Sequence, residues 1–439
     1  MYSRIWPGFL LFISSTVLAS PNIQHWQTGQ GINVYLVETH EIPMLDIQVI
    51  FDAGSSRDKN NAGLAVLTNE LLAEGAAGLT ADDISRNFEN QGSVYGNSAG
   101  YDSAAVSLRS IVDPDKLHPA LKNLKRVIDQ PDFPLDAFER LRNQMLIGIR
   151  HKQQSPGQLA SEAFFAALYG DHPYAYPSEG TVESLEGITR EKVISFHKKY
   201  YVAANAMVVM VGDINKQQAQ QLADDLMADL PIGETAPALP DVSAQTEARQ
   251  IHIDHPSTQT HVLIGQLGIR RDDPDYFPLY VGNHILGGSG MVSRLFEEVR
   301  EKRGLSYTAY SYFSPMRKSG PFTAGLQTKA GQTQEAISVV NEQLLNFIEN
   351  GPTEEELVAS KKNITGGYPL RIDSNNKIIG YLAMIGFYGL PLDYLETFNR
   401  NVESVTVDQI KDAFSRRLSP DKFVTVLVGP GDVSTGETN

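Results

Sequence analysis

The chain contains no cysteine among its 439 residues. This absence excludes disulfide bonds, thiolate zinc sites, cysteine nucleophiles and lipid attachment through a thiol. The chain also lacks both His-Glu-x-x-His and the inverted form His-x-x-Glu-His. No helix can therefore present two histidines one turn apart beside a glutamate base.

The chain has fewer basic than acidic residues. It contains 37 lysines and arginines and 52 aspartates and glutamates, which gives a net charge of −15 spread along the chain. Such a balance disfavours nucleic-acid binding. An apolar content of 41% and a charged content of 20% are typical of a soluble globular protein. The length predicts two or more domains, at about 100–200 residues each.

Residues 1–19 have the pattern of a secretory signal peptide. Arg4 supplies a positive charge, residues 9–18 form a compact apolar run, and Val17-x-Ala19 has the small-residue spacing of a cleavage site. This run is shorter than the roughly 20 residues that span a bilayer. We expect export to a bacterial periplasm, cleavage after Ala19 and no stable membrane insertion, with an uncleaved anchor as the alternative.

The first half of the chain begins with strand patterns. Residues 32–37 and 45–51 alternate apolar and polar residues, as half-buried antiparallel strands do. Asn61 is placed to cap a helix that reaches about Glu74. Further along, the sequence LPIGETAPALP has three prolines and no periodicity, which predicts an extended linker over residues 231–245.

After the linker, the order of predicted elements begins again. The sequence VESL leads through a helix to a strand that ends at Gly212, and VESV leads in the same way to a strand that ends at Gly429. Two copies of one α+β unit explain this order. We expect an N-terminal domain over residues 20–230 and a C-terminal domain over residues 246–439.

The segment SRLFEEVREKRGLSYTAYSYF, residues 293–313, predicts a helix that ends at Gly304 and a strand that follows it. One face of that strand would hold Tyr307, Ala309, Ser311 and Phe313. The tight turn would bring Arg300 near Tyr307. A guanidinium beside a phenol supplies donors for a carbonyl that becomes an oxyanion. The other interpretation is a surface arginine beside a half-buried tyrosine.

Three further patterns are weaker candidates. Gly96-Asn-Ser98-Ala-Gly100 fits a nucleophile motif, but it lies in a predicted loop or irregular edge with a helix before it and a strand after it, the reverse of the required context. Gly287-Gly-Ser-Gly290 opens a helix without a phosphate-loop lysine, which favours a flexible hinge over an anion site. The densest histidines are His252, His255 and His261. Their spacing along a strand disfavours a metal site.

The chain resembles the pitrilysin/insulinase family of zinc peptidases over almost the whole sequence after the signal peptide. The similar segments are Gly63-Leu-Ala with the amphipathic helix after it, HPYAYPSEGTVESLEGIT, the strand 209–212 with Asp213, and LFEEVREKRGLSY. The nearest branch contains small bacterial enzymes similar to the mitochondrial processing peptidase. The resemblance implies an α+β fold of two homologous domains, each an antiparallel sheet with helices packed on one face.

In that family, the helix that begins Gly-Leu-Ala carries His-x-x-Glu-His, and a distant glutamate completes the zinc site. The matching positions here are Val66, Asn69, Glu70 and Gly148, with Ile147 if the register slips by one. Valine and glycine cannot coordinate a metal, and asparagine cannot act as a base. The resemblance therefore implies a degenerate zinc site and no cofactor in this chain.

The family's second signature is intact. Its arginine and tyrosine, seven residues apart, bind the scissile carbonyl, and they match Arg300 and Tyr307. Because some members divide the zinc site and the Arg/Tyr pair between two chains, the resemblance implies a non-catalytic subunit of a periplasmic heterodimeric zinc peptidase. Its partner would be a homologous zinc-bearing subunit. Its substrates would be unfolded or extended peptides that add a strand to a sheet edge near residues 94–101.

Two alternatives remain. One is a peptide-binding or scaffolding pseudopeptidase without turnover, and the other is a peptidase that uses an unrecognised site.

Overall fold

The computed structural model describes residues 21–430, so the predicted signal peptide lies outside the described residues. Strands and helices fall into two successive sets. The strands of the first half are β1 (Gln24–Gln27), β2 (Asn33–Glu38), β3 (Met44–Phe51), β4 (Gly75–Ala76), β5 (Leu79–Thr80), β6 (Val94–Ala99), β7 (Ala104–Ile111) and β8 (Ala206–Gly212). The helices of the first half are α1 (Leu64–Leu71), α2 (Ala81–Glu89), α3 (Pro114–Asp129), α4 (Leu135–Lys152), α5 (Pro156–Tyr169), α6 (Val182–Glu186), α7 (Arg190–Tyr200) and α8 (Lys216–Met227).

The second half repeats this order with fewer strands. Its strands are β9 (Arg249–Asp254), β10 (Gln259–Leu267), β11 (Ser306–Phe313), β12 (Pro321–Lys329) and β13 (Val424–Gly429). Its helices are α9 (Tyr276–Asn283), α10 (Arg294–Phe296), α11 (Thr333–Asn350), α12 (Glu354–Gly367), α13 (Asn375–Tyr388), α14 (Tyr394–Ser404) and α15 (Val407–Arg417). Helices α9 and α10 continue as π-helical turns over His284–Gly288 and Glu297–Glu301.

Each half builds one large sheet, and the two sheets share a strand order. The first sheet runs β1-β2-β8-β3-β7-β6 and the second runs β9-β13-β10-β12-β11. Each contains one parallel pair, β2 with β8 and β9 with β13. The other neighbouring strands of both sheets are antiparallel. The predicted α+β fold of two homologous units is confirmed, with one parallel pair added to each predicted antiparallel sheet.

A helix of the second half covers the free face of the first sheet. Helix α13 packs on β8 and β3. Its buried Leu382 and Ile385 join one hydrophobic core with Met207 and Val209 of β8. Because α13 covers the face that the alternating pattern leaves for solvent, β2 and β3 are buried on both faces rather than half-buried as predicted.

The reciprocal contact covers the second sheet. Helix α5 of the first half packs on β13 and β10. Its buried Phe164 and Leu168 share a core with Val426 and Val428. We call α5 and α13 the exchanged helices. Separating the two halves would expose both apolar sheet faces to water, so the exchanged helices hold the halves together.

Helix α1 begins later than predicted, and Asn61 does not cap it. Gly63 is the N-cap residue, in the left-handed conformation with a φ of 95°. The Asp58 carboxylate accepts hydrogen bonds from the N–H groups of Gly63 and Ala65, each at 2.9 Å. The Asp58 carboxylate thus satisfies N–H groups at the start of α1.

Residues 231–245 contain no helix or strand. This segment is nevertheless fixed to both halves. Arg57 of the first half donates a hydrogen bond to the Pro237 carbonyl at 2.5 Å, and Lys318 of the second half forms an ion pair with Asp241 at 2.5 Å.

No helix within residues 21–430 combines the length and the apolar character that crossing a bilayer requires.

Candidate functional site

Arg300 and Tyr307 lie side by side. Arg300 belongs to the π-helical turn after α10, and Tyr307 is the second residue of β11. Gly304, with a φ of 64°, ends the helix, and its N–H donates to the Arg300 carbonyl at 2.9 Å. The guanidinium carbon of Arg300 lies 4.5 Å from the centre of the Tyr307 ring and 4.7 Å from the centre of the Phe296 ring. The predicted helix end and the predicted proximity are both observed.

The face on which Tyr307 lies differs from the prediction. Tyr307 is 75% exposed, whereas Ala309 and Ser311 are 3% and 2% exposed. The register between β11 and β12 shifts between Ser306 and Ala309. Such a bulge breaks the strict alternation of a strand. The Ser306 hydroxyl lies at this bulge, 2.6 Å from the Thr308 carbonyl and 2.7 Å from the Gln327 carbonyl of β12, and it can donate to either. The bulge therefore presents the Tyr307 phenol to solvent.

The charge of Arg300 is only weakly compensated. Within the described residues its one ion pair is with Glu301, at 3.8 Å. The neighbouring Glu298 is engaged by Lys302 at 2.6 Å and by Arg303 at 2.5 Å, and these two cations lower the pKa of the Glu298 carboxyl. The Arg300 guanidinium is thus available to a carbonyl oxygen that gains negative charge.

Asn69, at the position of the family's glutamate base, points into the protein. It is 1% exposed, and its side-chain amide donates to the Tyr201 hydroxyl at 3.1 Å and to the Ala105 carbonyl at 3.3 Å. The side-chain amide of Asn97 in β6 donates a hydrogen bond of 2.7 Å to the backbone carbonyl of Asn69. Asn69 therefore links α1 to the sheet, and its side chain does not face a solvent-filled site.

The other degenerate positions offer a single carboxylate. Val66 is half-buried, Glu70 is exposed, and Gly148 faces open space. Although the residue as a whole is exposed, partial desolvation of its carboxyl group, together with the charges of Glu179 and Glu74, raises the pKa of Glu70. Among the described residues, no three histidine, cysteine, aspartate or glutamate side chains are grouped so that they could hold a metal. Zinc requires imidazole, thiolate or several carboxylate ligands, so these positions do not fit it.

Residues 94–99 form the edge strand β6, where the sequence predicts a loop or irregular edge. Ser98 lies within this strand opposite Ala105, and a hairpin leads directly to β7. No helix follows Ser98, so the nucleophile motif has no structural basis. Val94 is 64% exposed at the start of β6. An exposed edge strand of this kind can accept a further strand from a peptide.

Gly287, the first residue of the glycine run 287–290, packs closely on β11, while Gly290 at its other end adopts a φ of 64° in open space. A Cβ atom on Gly287 would lie 2.4 Å from the Ser311 nitrogen, so glycine permits the π-helical turn to pack closely on β11. The group of His252, His255 and His261 holds no candidate metal cluster in the part of the chain that the structure describes.

A cleft of about 890 Å³ lies between the two halves, and sequence reasoning missed it. It is bounded by the turn between β6 and β7, by α9, by β11 and by the end of α13. The aromatic residues that line it are Tyr101, Phe165, Tyr276, Tyr280, Tyr310, Tyr312, Phe313 and Tyr388. Only two lining residues are charged, Asp102 and Arg271. The sequence signal for a tyrosine-lined cleft is the composition, with 18 tyrosines and only 2 tryptophans.

Asp102, in the turn between β6 and β7, links the two halves through hydrogen bonds. Its carboxylate is 5% exposed and accepts hydrogen bonds from the Tyr388 hydroxyl and the Arg317 N–H, each at 2.9 Å. The Tyr174 hydroxyl donates to the other oxygen. All of these donors are far from Asp102 in sequence, so no local pattern predicts the contact.

Comparison with known proteins gives matches over most of the chain. Residues 33–182 match the model of the insulinase family (peptidase family M16), and residues 187–364 match the model of the peptidase M16 inactive domain. A crystal structure described as a peptidase M16 inactive domain, from Pseudomonas fluorescens, is 42% identical with a TM-score of 0.91. The match covers 94% of this chain and 99% of that chain. This chain belongs to peptidase family M16.

Other M16 relatives carry different descriptions. The non-peptidase homolog YmxG of Helicobacter pylori is 27% identical over 401 residues, which is 90% of this chain and 91% of that protein. An uncharacterized zinc protease of Mycobacterium leprae is also 27% identical, over 85% of this chain and 84% of that protein. This chain is thus similar to proteins described as an M16 inactive domain and as a non-peptidase homolog, and its α1 carries Val66, Asn69 and Glu70 where the family has His-x-x-Glu-His.

Proposed function

We propose that this chain is the non-catalytic subunit of an exported heterodimeric zinc peptidase. Its partner is an M16 subunit with an intact His-x-x-Glu-His motif. This chain contributes Arg300 and Tyr307 in trans, together with half of the chamber that holds an unfolded or extended peptide.

One observation carries the proposal. The Arg300 guanidinium is stacked 4.5 Å from an exposed Tyr307 ring, in a chain whose own zinc positions are Val66, Asn69, Glu70 and Gly148. The pair has a geometry that suits oxyanion binding, yet α1 holds no hydrolytic centre for it to serve. A partner's active site would give the pair a substrate carbonyl.

The contribution of the pair to hydrolysis is electrostatic. A metal in the partner would activate a water molecule and polarise the carbonyl. As the carbonyl carbon becomes tetrahedral, its oxygen gains negative charge. The Arg300 N–H groups and the Tyr307 O–H donate hydrogen bonds to that oxygen, and such bonds are stronger in the transition state than in the ground state.

The experiment that tests the assembly is recovery of the tagged mature protein from its native periplasm under non-denaturing conditions. Mass spectrometry should identify a chain of similar size, in equimolar amount, that carries His-x-x-Glu-His. Recovery of this protein alone, or only with itself, would contradict the heterodimer.

A second candidate function is a peptide-binding pseudopeptidase. The open edge of β6 and the aromatic cleft both favour peptide binding by this chain on its own. This candidate predicts peptide binding without turnover in the presence of any M16 partner.

A further inference from the structure

The cleft between the two halves contains an arginine without a counter-ion. Arg271 lines it, and its Nε atom is buried without a hydrogen-bond partner among the described residues. The positive charges of two nearby arginines are compensated by ion pairs, since Arg270 pairs with Asp272 and Arg317 pairs with Asp52. No such ion pair is found for Arg271 within residues 21–430. A partly buried guanidinium without a partner is costly, so this group suits an anion that arrives from outside.

Asp102, the other charged group of the cleft, forms no ion pair with Arg271 among the described residues. Its two carboxylate oxygens already accept hydrogen bonds from Tyr174, Tyr388 and the Arg317 N–H. The Tyr388 hydroxyl occupies the Asp102 carboxylate, and the Tyr388 ring centre lies 5.7 Å from the Arg271 guanidinium carbon. The cleft therefore holds one guanidinium without an ion-pair partner among the described residues, beside a carboxylate whose two oxygens are already hydrogen-bonded.

The surroundings of Arg271 define the remainder of the ligand. The guanidinium carbon lies 5.9 Å from the Tyr276 ring centre and 5.7 Å from that of Tyr388, so rings flank it. Across the cleft, Tyr310 and Tyr312 stack with ring centres 5.8 Å apart. An arginine fork held by aromatic rings suits the two oxygens of a carboxylate, and the aromatic walls suit a bulky apolar side chain.

We infer that this cleft binds the C-terminal end of a peptide, with the free α-carboxylate on Arg271 and a large apolar last residue between the tyrosines. A volume of about 890 Å³ is at the upper end of the range for ligand pockets, and so has room for more than one side chain. The choice of a peptide rests on the proposed function. The site itself does not, since neither Arg300 nor Tyr307 lines the cleft.

The test uses the full mature chain without any partner. The probe is a short glycine- and serine-rich peptide that ends in leucine and phenylalanine, labelled with fluorescein at its N-terminus. Its affinity is measured by fluorescence anisotropy with the C-terminus as a free acid and as an amide. Because a charge-assisted hydrogen bond is lost on amidation, the free acid should bind at least tenfold more tightly than the amide.

Four variants make the assignment specific. Arg271→Gln should reduce the ratio of acid to amide affinity to about one, whereas the adjacent Arg270→Gln should leave the ratio unchanged. Tyr310→Ala should weaken acid and amide alike, because it removes apolar contact and no charge. Thermal unfolding of each variant verifies that it is folded, and Arg271→Lys is a second variant that should keep part of the preference for the acid.

Several results would overturn the inference. They are the absence of binding by both peptides, equal binding of acid and amide, or a preference that survives Arg271→Gln. N-acetylphenylalanine that competes as tightly as the peptide would also overturn it, in favour of a small carboxylate ligand. Arg300→Ala should leave the preference for the acid unchanged, so a failure of the in-trans role and a failure of this site remain distinguishable.

Discussion

The Tyr388 hydroxyl donates a 2.9 Å hydrogen bond to the Asp102 carboxylate, although 286 residues separate the two in sequence. Asp102 lies in the turn that joins β6 to β7, and Tyr388 is the last residue of α13, the exchanged helix that covers the first sheet. Burial raises the pKa of Tyr388, so its hydroxyl stays protonated and donates. This bond anchors the end of α13 to the half of the chain that it covers.

Asp102→Ala should therefore destabilise the fold. The substitution leaves the hydroxyls of the buried Tyr174 and the half-buried Tyr388, and one backbone N–H, without their acceptor. We expect it to lower the free energy of unfolding by about 3 kcal/mol. The midpoint of urea unfolding measures the change. Asp241→Ala is the matched control, because its ion pair with Lys318 joins the segment 231–245 to the second half but the Asp241 side chain is 94% exposed. The control should change the stability by less than about 1 kcal/mol. Equal effects of the two substitutions would contradict this role of Asp102.

Two glycines of α13 should respond in opposite directions to the same substitution. A Cβ on Gly386 would lie 2.7 Å from the Tyr35 ring and 2.9 Å from Met207, so Gly386→Ala should push α13 away from the first sheet. Gly380 has no neighbour within 4 Å of its Cβ position, so Gly380→Ala should stabilise the helix by about 0.5–1 kcal/mol. Thermal unfolding compares the two. A stabilising Gly386→Ala would show that α13 does not pack on the sheet at this point.

The fold could be predicted from the sequence wherever local patterns determine it. Most strands of the two large sheets, the repeat that ends at Gly212 and Gly429, and the helix end at Gly304 follow from periodicity and glycine conformation. Strand β6 is an exception, because its sequence predicts a loop or irregular edge. These local signals also brought Arg300 and Tyr307 together correctly. The identity of the zinc positions followed from the resemblance to the family.

What could not be predicted depends on contacts between distant segments. The pattern of an apolar helix does not say which sheet it covers, so the exchange of α5 and α13, and the burial of both faces of β2 and β3, could not be foreseen. The bulge that exposes Tyr307 lies where the Ser306 hydroxyl contacts backbone carbonyls of both β11 and β12, which no local pattern predicts. The cleft is lined by tyrosines from both halves of the chain. The sequence around Arg271 does not indicate a binding site, because the surroundings of Arg271 are formed by the distant elements α9, β11 and α13.

Asp129 should make stability depend on pH. Its side chain is 3% exposed, neither oxygen has a hydrogen-bond partner among the described residues, and burial raises its pKa from 3.8 to about 6. Because the folded-state pKa is the higher one, its contribution to stability is fully present below about pH 4 and is lost as the pH rises through about 6. Asp129→Asn should therefore stabilise the protein by about 2 kcal/mol at pH 7.5 and by much less at pH 4.

Urea unfolding at the two pH values measures this difference. Lys125 lies 3.7 Å from the Asp129 carboxylate and also pairs with Asp229 at 3.1 Å. Asp229→Asn is the matched control, since Asp229 has the same partner but is 66% exposed. Its effect should be small at both pH values. An Asp129→Asn effect that is independent of pH would show that the carboxyl does not titrate in this range.

Metal removal should distinguish this chain from its complex. Because the degenerate positions offer one carboxylate and no imidazole, neither Zn²⁺ nor a chelator should shift the thermal midpoint of the isolated chain. The same chelator should abolish hydrolysis by the complex with the zinc-bearing partner. A zinc-dependent stabilisation of the isolated chain that Glu70→Gln removes would contradict the degenerate site.

The central claim is that Arg300 and Tyr307 act on a carbonyl held in the partner's active site. The most direct measurement is the turnover number of the complex assembled with Arg300→Ala, beside Arg303→Ala as the control. Arg303 follows three residues later and is engaged by Glu298 at 2.5 Å. We predict that Arg300→Ala lowers turnover by about 10²–10³ without weakening assembly, and that Arg303→Ala changes it little. Unchanged turnover in the Arg300→Ala complex would contradict the in-trans role.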